Sequence, residues 1–328
     1  MNKTLLCLLL LLLFIPVFLL RDYTPNNELR YVSIINESLE NGSLFTFYNH
    51  GIPYADKPPL YLWIMMIGNI IADEYLLFFM GFINLAAVSV IIYVMTLWTF
   101  PEKRNFTQIL APMLALVSTA MFTASFIVVR MDILMTMFIT LSLHSFFKIY
   151  TGKNRKSELY LFPVYLFLGV FAKGPVGLAV PVISIVVFLL LKNDLKKIFR
   201  FFGFRTIIIF TILALIWFSG VYLEGGITYL KNMLFNQTID RAVDSFHHKE
   251  PIYYYMIRIW MMASPWILFC AVMIFLSLKK HITINNDTLY FYLVIIASTF
   301  LSLSFVSSKI DIYLLPIYQK DAQPVRFP

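Results

Sequence analysis

Cysteine is almost missing from this chain. It has 2, Cys7 and Cys270, and both lie inside apolar runs, which argues against a disulfide or a thiolate metal pair. Charge is scarce as well. Asp, Glu, Lys and Arg make up 13% of residues against 60% hydrophobic ones, and the mean hydropathy is +0.78. That balance excludes a soluble globular domain. None of the signatures G-x-x-x-x-G-K-[ST], G-x-G-x-x-G or G-x-S-x-G occurs in a suitable context, so no motif supports a nucleotide-driven pump or a soluble hydrolase. No repeat of fixed period and no low-complexity tail is present.

Long apolar runs fill the chain instead. Candidate crossings fall at about 4–20, 75–99, 107–128, 132–150, 158–172, 174–192, 205–223, 256–277 and 288–306, judged against the roughly 20 residues a helix needs to cross a bilayer. A helix satisfies its own backbone hydrogen bonds in lipid, so the expected fold is an all-α integral membrane protein, a polytopic bundle of about nine transmembrane helices. The first run has no small-x-small cleavage site before Arg21 and reads as a retained helix rather than a signal peptide.

Net charge is +8, yet the basic residues gather in short loops between apolar runs, as an orientation signal requires and a polyanion site does not. With a cytoplasmic N-terminus, FPEKRN, KIYTGKNRKSE, KNDLKKIFRFFGFR and SLKKH all fall inside. The segment LYLWIMMIGNIIA (60–72) has 13 residues, short for a crossing, and counting it as one would put every basic loop outside. It is expected as a short helix in the outer interface. The outer side then holds two long loops, 21–59 and 224–255, and three tight segments, VVRMD, FAKGPVG and SSKID. In the first loop LRYVSIINESLENG has apolar residues at helical spacing and ends at Gly42, which predicts an amphipathic helix.

The outer charges are isolated and mixed in sign: Glu28, Arg30, Asp56, Lys57, Arg130, Asp132, Lys173, Arg241 and Lys309. Taken singly, each has an ordinary explanation. Lysines snorkel to headgroups, and Arg130 with Asp132 can form a local ion pair. Taken together they end at one face, where ionisable groups are costly unless paired or wet. Cations with a few carboxylates beside lipid suit a lipid phosphate whose departure must be stabilised, with a carboxylate to receive the proton of an incoming hydroxyl. Lys57 precedes Pro58 and Pro59, which can open a helix without losing a needed N–H, so it is expected at a helix N-terminus. His247 and His248 are adjacent in the second loop and lack the i, i+4 spacing of a zinc pair. YYY (253–255) reads as an interfacial belt, or a stacking wall for a sugar.

Several stretches resemble the membrane-embedded GT-C glycosyltransferases of the protein O-mannosyltransferase type (glycosyltransferase family 39-like), whose bacterial branch includes the lipid A aminoarabinose transferase. They are NELRYVSIINESLENGSLFTFYNHGIPYADKPPLYLW, VRMDILMTMF, FAKGPVGLAVP, IDRAVDSFHHKEPIYYY, SPW and SSKIDIYLLPIY, in that order along the chain. The resemblance implies transfer of a sugar from a polyprenyl-phosphate carrier to a lipid, glycan or protein acceptor on the non-cytoplasmic face, in a bacterial inner membrane with a periplasmic active site. It places Arg30 and Lys57 on the carrier phosphate, Lys173 beside them, and Arg130 with Asp132 around the cavity. Arg241 and His248 would belong to the mobile second loop and Lys309 to the far wall. Fixed cations would do the work of a metal, so no cofactor is expected beyond the lipid-linked donor, although a divalent ion is not excluded; no nucleic acid is expected.

Two departures stand out. The family carries an Asp-Glu pair in the first outer loop, and Asn27 stands in the aspartate's place. An amide cannot act as a base, leaving Glu28, then Asp56 or Asp132. Second, YLLPIY is followed by QKDAQPVRFP, so residues 1–318 read as the transferase domain and 319–328 as a polar, truncated end. The competing readings are a transporter or flippase for a polyprenyl-linked substrate, which should show pseudo-repeats, and a non-catalytic relative, which Asn27 and the polar end favour.

Overall fold

A computed structural model describes residues 11–99, 105–153, 155–235, 250–268, 272, 287–305, 309 and 311–318. Cys7, Cys270, Arg241, His247, His248, the loops FPEKR and SLKKH, and the tail 319–328 lie outside the described residues, as do most of positions 269–277 of one expected crossing.

The described chain is helical apart from one two-stranded hairpin. A 3₁₀ turn (Leu11–Phe14) leads into α1 (Ile15–Leu20), then a π-helical turn (Pro25–Leu29) into α2 (Arg30–Asn41). The hairpin β1 (Tyr48–Asn49) and β2 (Ile52–Pro53) follows, with Tyr48 opposite Pro53. Then come α3 (Leu60–Ala72), α4 (Leu76–Thr99), α5 (Phe106–Val117), α6 (Ala120–Ile127), α7 (Met131–Tyr150), α8 (Glu158–Lys173) and α9 (Val176–Leu191). A short α10 (Ile198–Phe201), the long α11 (Phe204–Lys231), α12 (Tyr254–Met262), α13 (Asp287–Phe305) and a 3₁₀ turn (Asp311–Tyr318) complete it.

Among the described residues four helical runs are long and apolar enough to cross a membrane, or up to five if a bent pair counts as one crossing. One run, Leu60–Trp98, contains both α3 and α4. These are two helices packed on each other. The backbone breaks at Asp73 (φ 24°, ψ −94°), and Gly68 of α3 lies against Leu76 and Phe79 of α4, whose side chains leave no room for a Cβ. The expected separate helix over 60–72 is α3, and the amphipathic helix of the first loop is α2, which ends at Gly42 (φ 67°).

The expected single helix over 107–128 forms as two, α5 and α6, bent by 79°. Hydroxyls weaken the helix at this point, and contacts from far along the chain hold the break. Ser118 and Thr119 turn their side chains back onto the Leu114 and Ala115 carbonyls, offering the backbone an alternative to the helical ladder. The SPW stretch then fills the corner: Ala120 N–H donates to the Ser264 carbonyl at 3.0 Å and the Trp266 indole to Ser118 Oγ at 2.8 Å.

Helix α7 lies at the centre, buried around its circumference from Met131 to Ile149. It packs in one apolar cluster with α4, α8, α9 and α13, and Ser184 of α9 shares a hydrogen bond with Ser298 of α13 at 2.9 Å. Helix α7 carries Asp132 at one end and Lys148 at the other, about 24 Å apart by helical rise. The Lys148 end holds a second polar group, where Lys148 pairs with Glu158, Lys192 with Asp287 and Lys197 with Asp194.

Candidate functional site

The site is built on three chain reversals at the Asp132 end of the bundle. The first is the start of α7. Arg130 is extended (φ −139°, ψ 151°) and Asp132 enters the first helical turn, where a carboxylate suits the helix dipole. Asp132 is fully buried, and Arg130 Nε stands 3.4 Å from its Oδ2.

The second reversal joins α8 to α9 through Lys173, Gly174 and Pro175. Gly174 adopts φ 118° and ψ −157°, a conformation open in practice only to glycine. The helices then run back together so closely that a Cβ on Gly177 would sit 2.1 Å from the Gly169 carbonyl oxygen. This hairpin delivers the Lys173 ammonium to Asp132 Oδ1, a hydrogen-bonded ion pair between two buried side chains. The same ammonium lies 4.8 Å from the centre of the Tyr313 ring, within cation–π range.

The third reversal is the first-loop hairpin and the turn that follows it. Pro59 caps α3 (φ −77°, ψ −20°), and Trp63 N–H donates to its carbonyl at 2.8 Å. Lys57 thus stands two residues before the cap, as its proline pair leads one to expect. Lys57 and Arg130 are both close enough for their charges to act on Lys173, so three cations from separate elements gather at the Asp132 end of the bundle. Asp56, half-exposed, is close enough to act on the Tyr54 and Tyr229 hydroxyls.

Glu28 occupies a different environment. It is 1% exposed, and its carboxylate accepts from both Arg21 nitrogens (2.6 and 2.8 Å), the Thr24 amide (2.7 Å) and hydroxyl (3.0 Å), and the Val129 amide (2.6 Å). Burial pushes its pKa up, but the bonds from Arg21, Thr24 and Val129 outweigh that and hold it below the usual carboxylate range. Such a carboxylate is fastened, tying the first loop to the residue before Arg130.

Arg30 opens α2 and lies over the rings of Tyr31 and Tyr54, 5.5 and 5.8 Å from their centres. Lys309 is buried and donates to the Glu250 carbonyl at 2.8 Å. Beside it Asp311 accepts from the Tyr254 hydroxyl at 2.7 Å and pairs with Arg258 at 3.6 Å. The structure therefore gathers Lys57, Arg130, Asp132 and Lys173, sets Glu28 behind them, and puts Arg241 and His248 outside the described residues. The sequence reading passed over Arg21 and Tyr313. Tyr313 had a signal in the SSKIDIYLLPIY stretch; Arg21, at the end of an apolar run, had none.

Comparison with known proteins follows the same lines. Residues 3–235 match the family profile described as dolichyl-phosphate-mannose-protein mannosyltransferase. An uncharacterized protein of Aquifex aeolicus (strain VF5) is 28% identical over 324 residues, covering 94% of this chain and 61% of its own length. The undecaprenyl phosphate-alpha-4-amino-4-deoxy-L-arabinose arabinosyl transferase of Yersinia pestis (strain Pestoides F) is 26% identical over 317 residues, covering 94% and 56%. The crystal structure of ArnT from Cupriavidus metallidurans bound to undecaprenyl phosphate superposes with a TM-score of 0.79 at 16% identity, covering 96% of this chain and 57% of that one. This chain thus spans about 56–61% of the length of the curated relatives it matches. With the apolar helices already described, these matches make it an integral membrane protein, and it belongs to the dolichyl-phosphate-mannose-protein mannosyltransferase family.

Proposed function

We propose that this chain carries the donor site of a glycosyltransferase that takes a sugar from a polyprenyl-phosphate carrier and passes it to a lipid, glycan or protein hydroxyl at the non-cytoplasmic face. The observation that carries the reading is the pairing of Asp132 with Lys173 and Arg130, with Lys57 within electrostatic reach of Lys173, at one end of the bundle. Three cations against two carboxylates, Asp132 and Asp56, leave a net positive site beside lipid, suited to a phosphate that gains charge as the glycosidic bond breaks. Arg30 and Lys309 belong to the same end as further phosphate or wall contacts. Arg241 and His248 would complete it from the second loop, and the donor needs no metal in this scheme.

The carboxylates divide by exposure. Glu28 and Asp132 are buried and hydrogen-bonded, while Asp56 is half-exposed next to Lys57. A proton acceptor must reach a hydroxyl arriving from outside. We assign that role to Asp56, with Asp132 ordering the cations and Glu28 fastening the loop; the sequence alone favoured Glu28.

The test is turnover. Purified full-length protein in lipid nanodiscs, given a polyprenyl-phosphate sugar with or without acceptor lipid, should transfer or release the sugar. Lys173→Ala and Asp56→Asn should each lower kcat at least about a hundredfold. A wild-type chain that binds undecaprenyl phosphate but never turns over would support the non-catalytic reading that Asn27 favours. Net movement of the carrier across a sealed bilayer without sugar loss would support the transporter.

A further inference from the structure

Besides the Glu28 bonds, a second set of contacts holds the first loop in place, and these come from helix α11. Helix α11 ends its regular course at Gly226, whose φ 67° and ψ −173° break the helix direction. One carboxylate lies just before that break and one phenol just after it, and both bind the same loop. Glu224 Oε1 accepts from the Leu44 amide at 2.6 Å, and Oε2 accepts from the amides of Phe45 and Thr46 at 2.6 Å each and the Thr46 hydroxyl at 3.1 Å. The Tyr229 hydroxyl accepts from the Phe47 amide at 3.0 Å and donates to the Tyr54 carbonyl at 2.9 Å. It thus caps the hairpin base that the Tyr54 amide and Phe47 carbonyl close at 2.7 Å.

Contact between helix and loop is close along this length. A Cβ on Gly220 would lie 2.5 Å from the Phe45 ring, and one on Gly225 would lie 2.5 Å from Thr46 Cγ2. Phe45 in turn packs edge-on against Trp63 of α3 at 5.4 Å, and the Trp63 indole donates to the Leu44 carbonyl at 2.5 Å. Residues 44–54 are therefore bound by α11 at their start and by α11 again at the hairpin base. The next residues in the chain are Ala55, Asp56 and Lys57.

We propose that Glu224 and Tyr229 are positioning residues of the donor site, setting from α11 where Lys57 and Asp56 stand relative to Lys173. The proposal rests on the donor-site reading above. Both residues bind the loop that carries Asp56 and Lys57, and the Tyr229 hydroxyl also lies within electrostatic reach of Asp56. Three consecutive amides converging on one carboxylate give strong charge-assisted bonds, and small displacements of a positioned group are costly to a site that must hold its geometry.

The experiment uses the full-length chain in nanodiscs and undecaprenyl phosphate as the probe. Glu224→Ala should speed amide exchange at residues 44–46 and weaken binding about tenfold, with Glu224→Gln recovering part of the loss because an amide oxygen can still accept. Tyr229→Phe, which removes one hydroxyl, gives the same test if Glu224→Ala does not fold. In a Lys57→Ala background, Glu224→Ala should add little, since its effect passes through Lys57. Faster exchange with unchanged affinity, or losses that multiply in the double variant, would overturn the proposal. Unchanged affinity on Lys57→Ala alone would instead bring down the donor-site reading, and the positioning role with it.

Discussion

Lys173 and Asp132 stand 41 residues apart in sequence, at the end of α8 and the start of α7, and meet as a buried, hydrogen-bonded ion pair. Neither helix would place its charge at this depth without the other. Breaking a buried pair by removing one partner leaves an uncompensated charge and costs roughly 3–5 kcal/mol. Asp132→Asn should therefore lower thermal stability in nanodiscs sharply, because it leaves Lys173 beside Lys57 and Arg130 without a counter-charge. Asp132→Asn combined with Lys173→Met should recover much of that stability while leaving the chain unable to bind undecaprenyl phosphate. Paired melting and binding measurements on the single and double variants check both statements.

The turn behind Lys173 separates backbone freedom from space. A Cβ on Gly174 would meet nothing within 4 Å, but its φ of 118° disfavours any other residue. Gly174→Ala should cost about 1–3 kcal/mol through backbone strain alone. Gly177→Ala has an ordinary backbone but meets the Gly169 carbonyl, so the helices must part. It should destabilise more and also displace Lys173. Melting temperatures that rank the two variants the other way would show that α8 and α9 are not packed through this contact.

How much of this was legible in the sequence depended on whether a local signal existed. The proline pair before Leu60 and the glycine after Asn41 mark helix boundaries by backbone chemistry, and α3 and α2 begin and end where those residues direct. Isolated charges at the ends of apolar runs pointed to Lys57, Arg130, Asp132 and Lys173. The 79° bend between α5 and α6 was not legible, since Ser118 and Thr119 are tolerated in a straight apolar helix. It takes Ser264 and Trp266, far along the chain, to hold the corner. Glu224 was equally hidden, because its partners lie 178 to 180 residues away. Glu28 was visible as a charge, but only its five donors show a carboxylate already engaged.

Glu28 carries a pH dependence of definite sign. Its pKa is held below the ordinary value in the folded chain, so its contribution to stability is present above the unfolded carboxylate pKa of about 4.3 and is lost as pH falls through the depressed folded value. Melting temperature in nanodiscs should fall on acidification below about pH 4. Glu28→Gln should melt lower at neutral pH, with a shallower drop on acidification. A wild type and a variant with parallel pH profiles would mean that the Arg21–Glu28 pair does not hold the loop.

The sidedness of the site is tested most directly by labelling. The basic loop around Lys153 and Arg155 lies at the Lys148 end of α7, and the hairpin residue Ile52, 69% exposed, lies in the loop that carries Lys57. Short basic loops face the cytoplasm, so the donor site should open on the other side. In a variant without Cys7 and Cys270, a cysteine at position 153 should resist an impermeant thiol reagent applied to intact cells, whereas Ile52→Cys should react. Permeabilising the membrane should then expose position 153. Labelling of position 153 in intact cells, with protection of position 52, would invert the chain in the membrane and move the proposed chemistry to the cytoplasmic face.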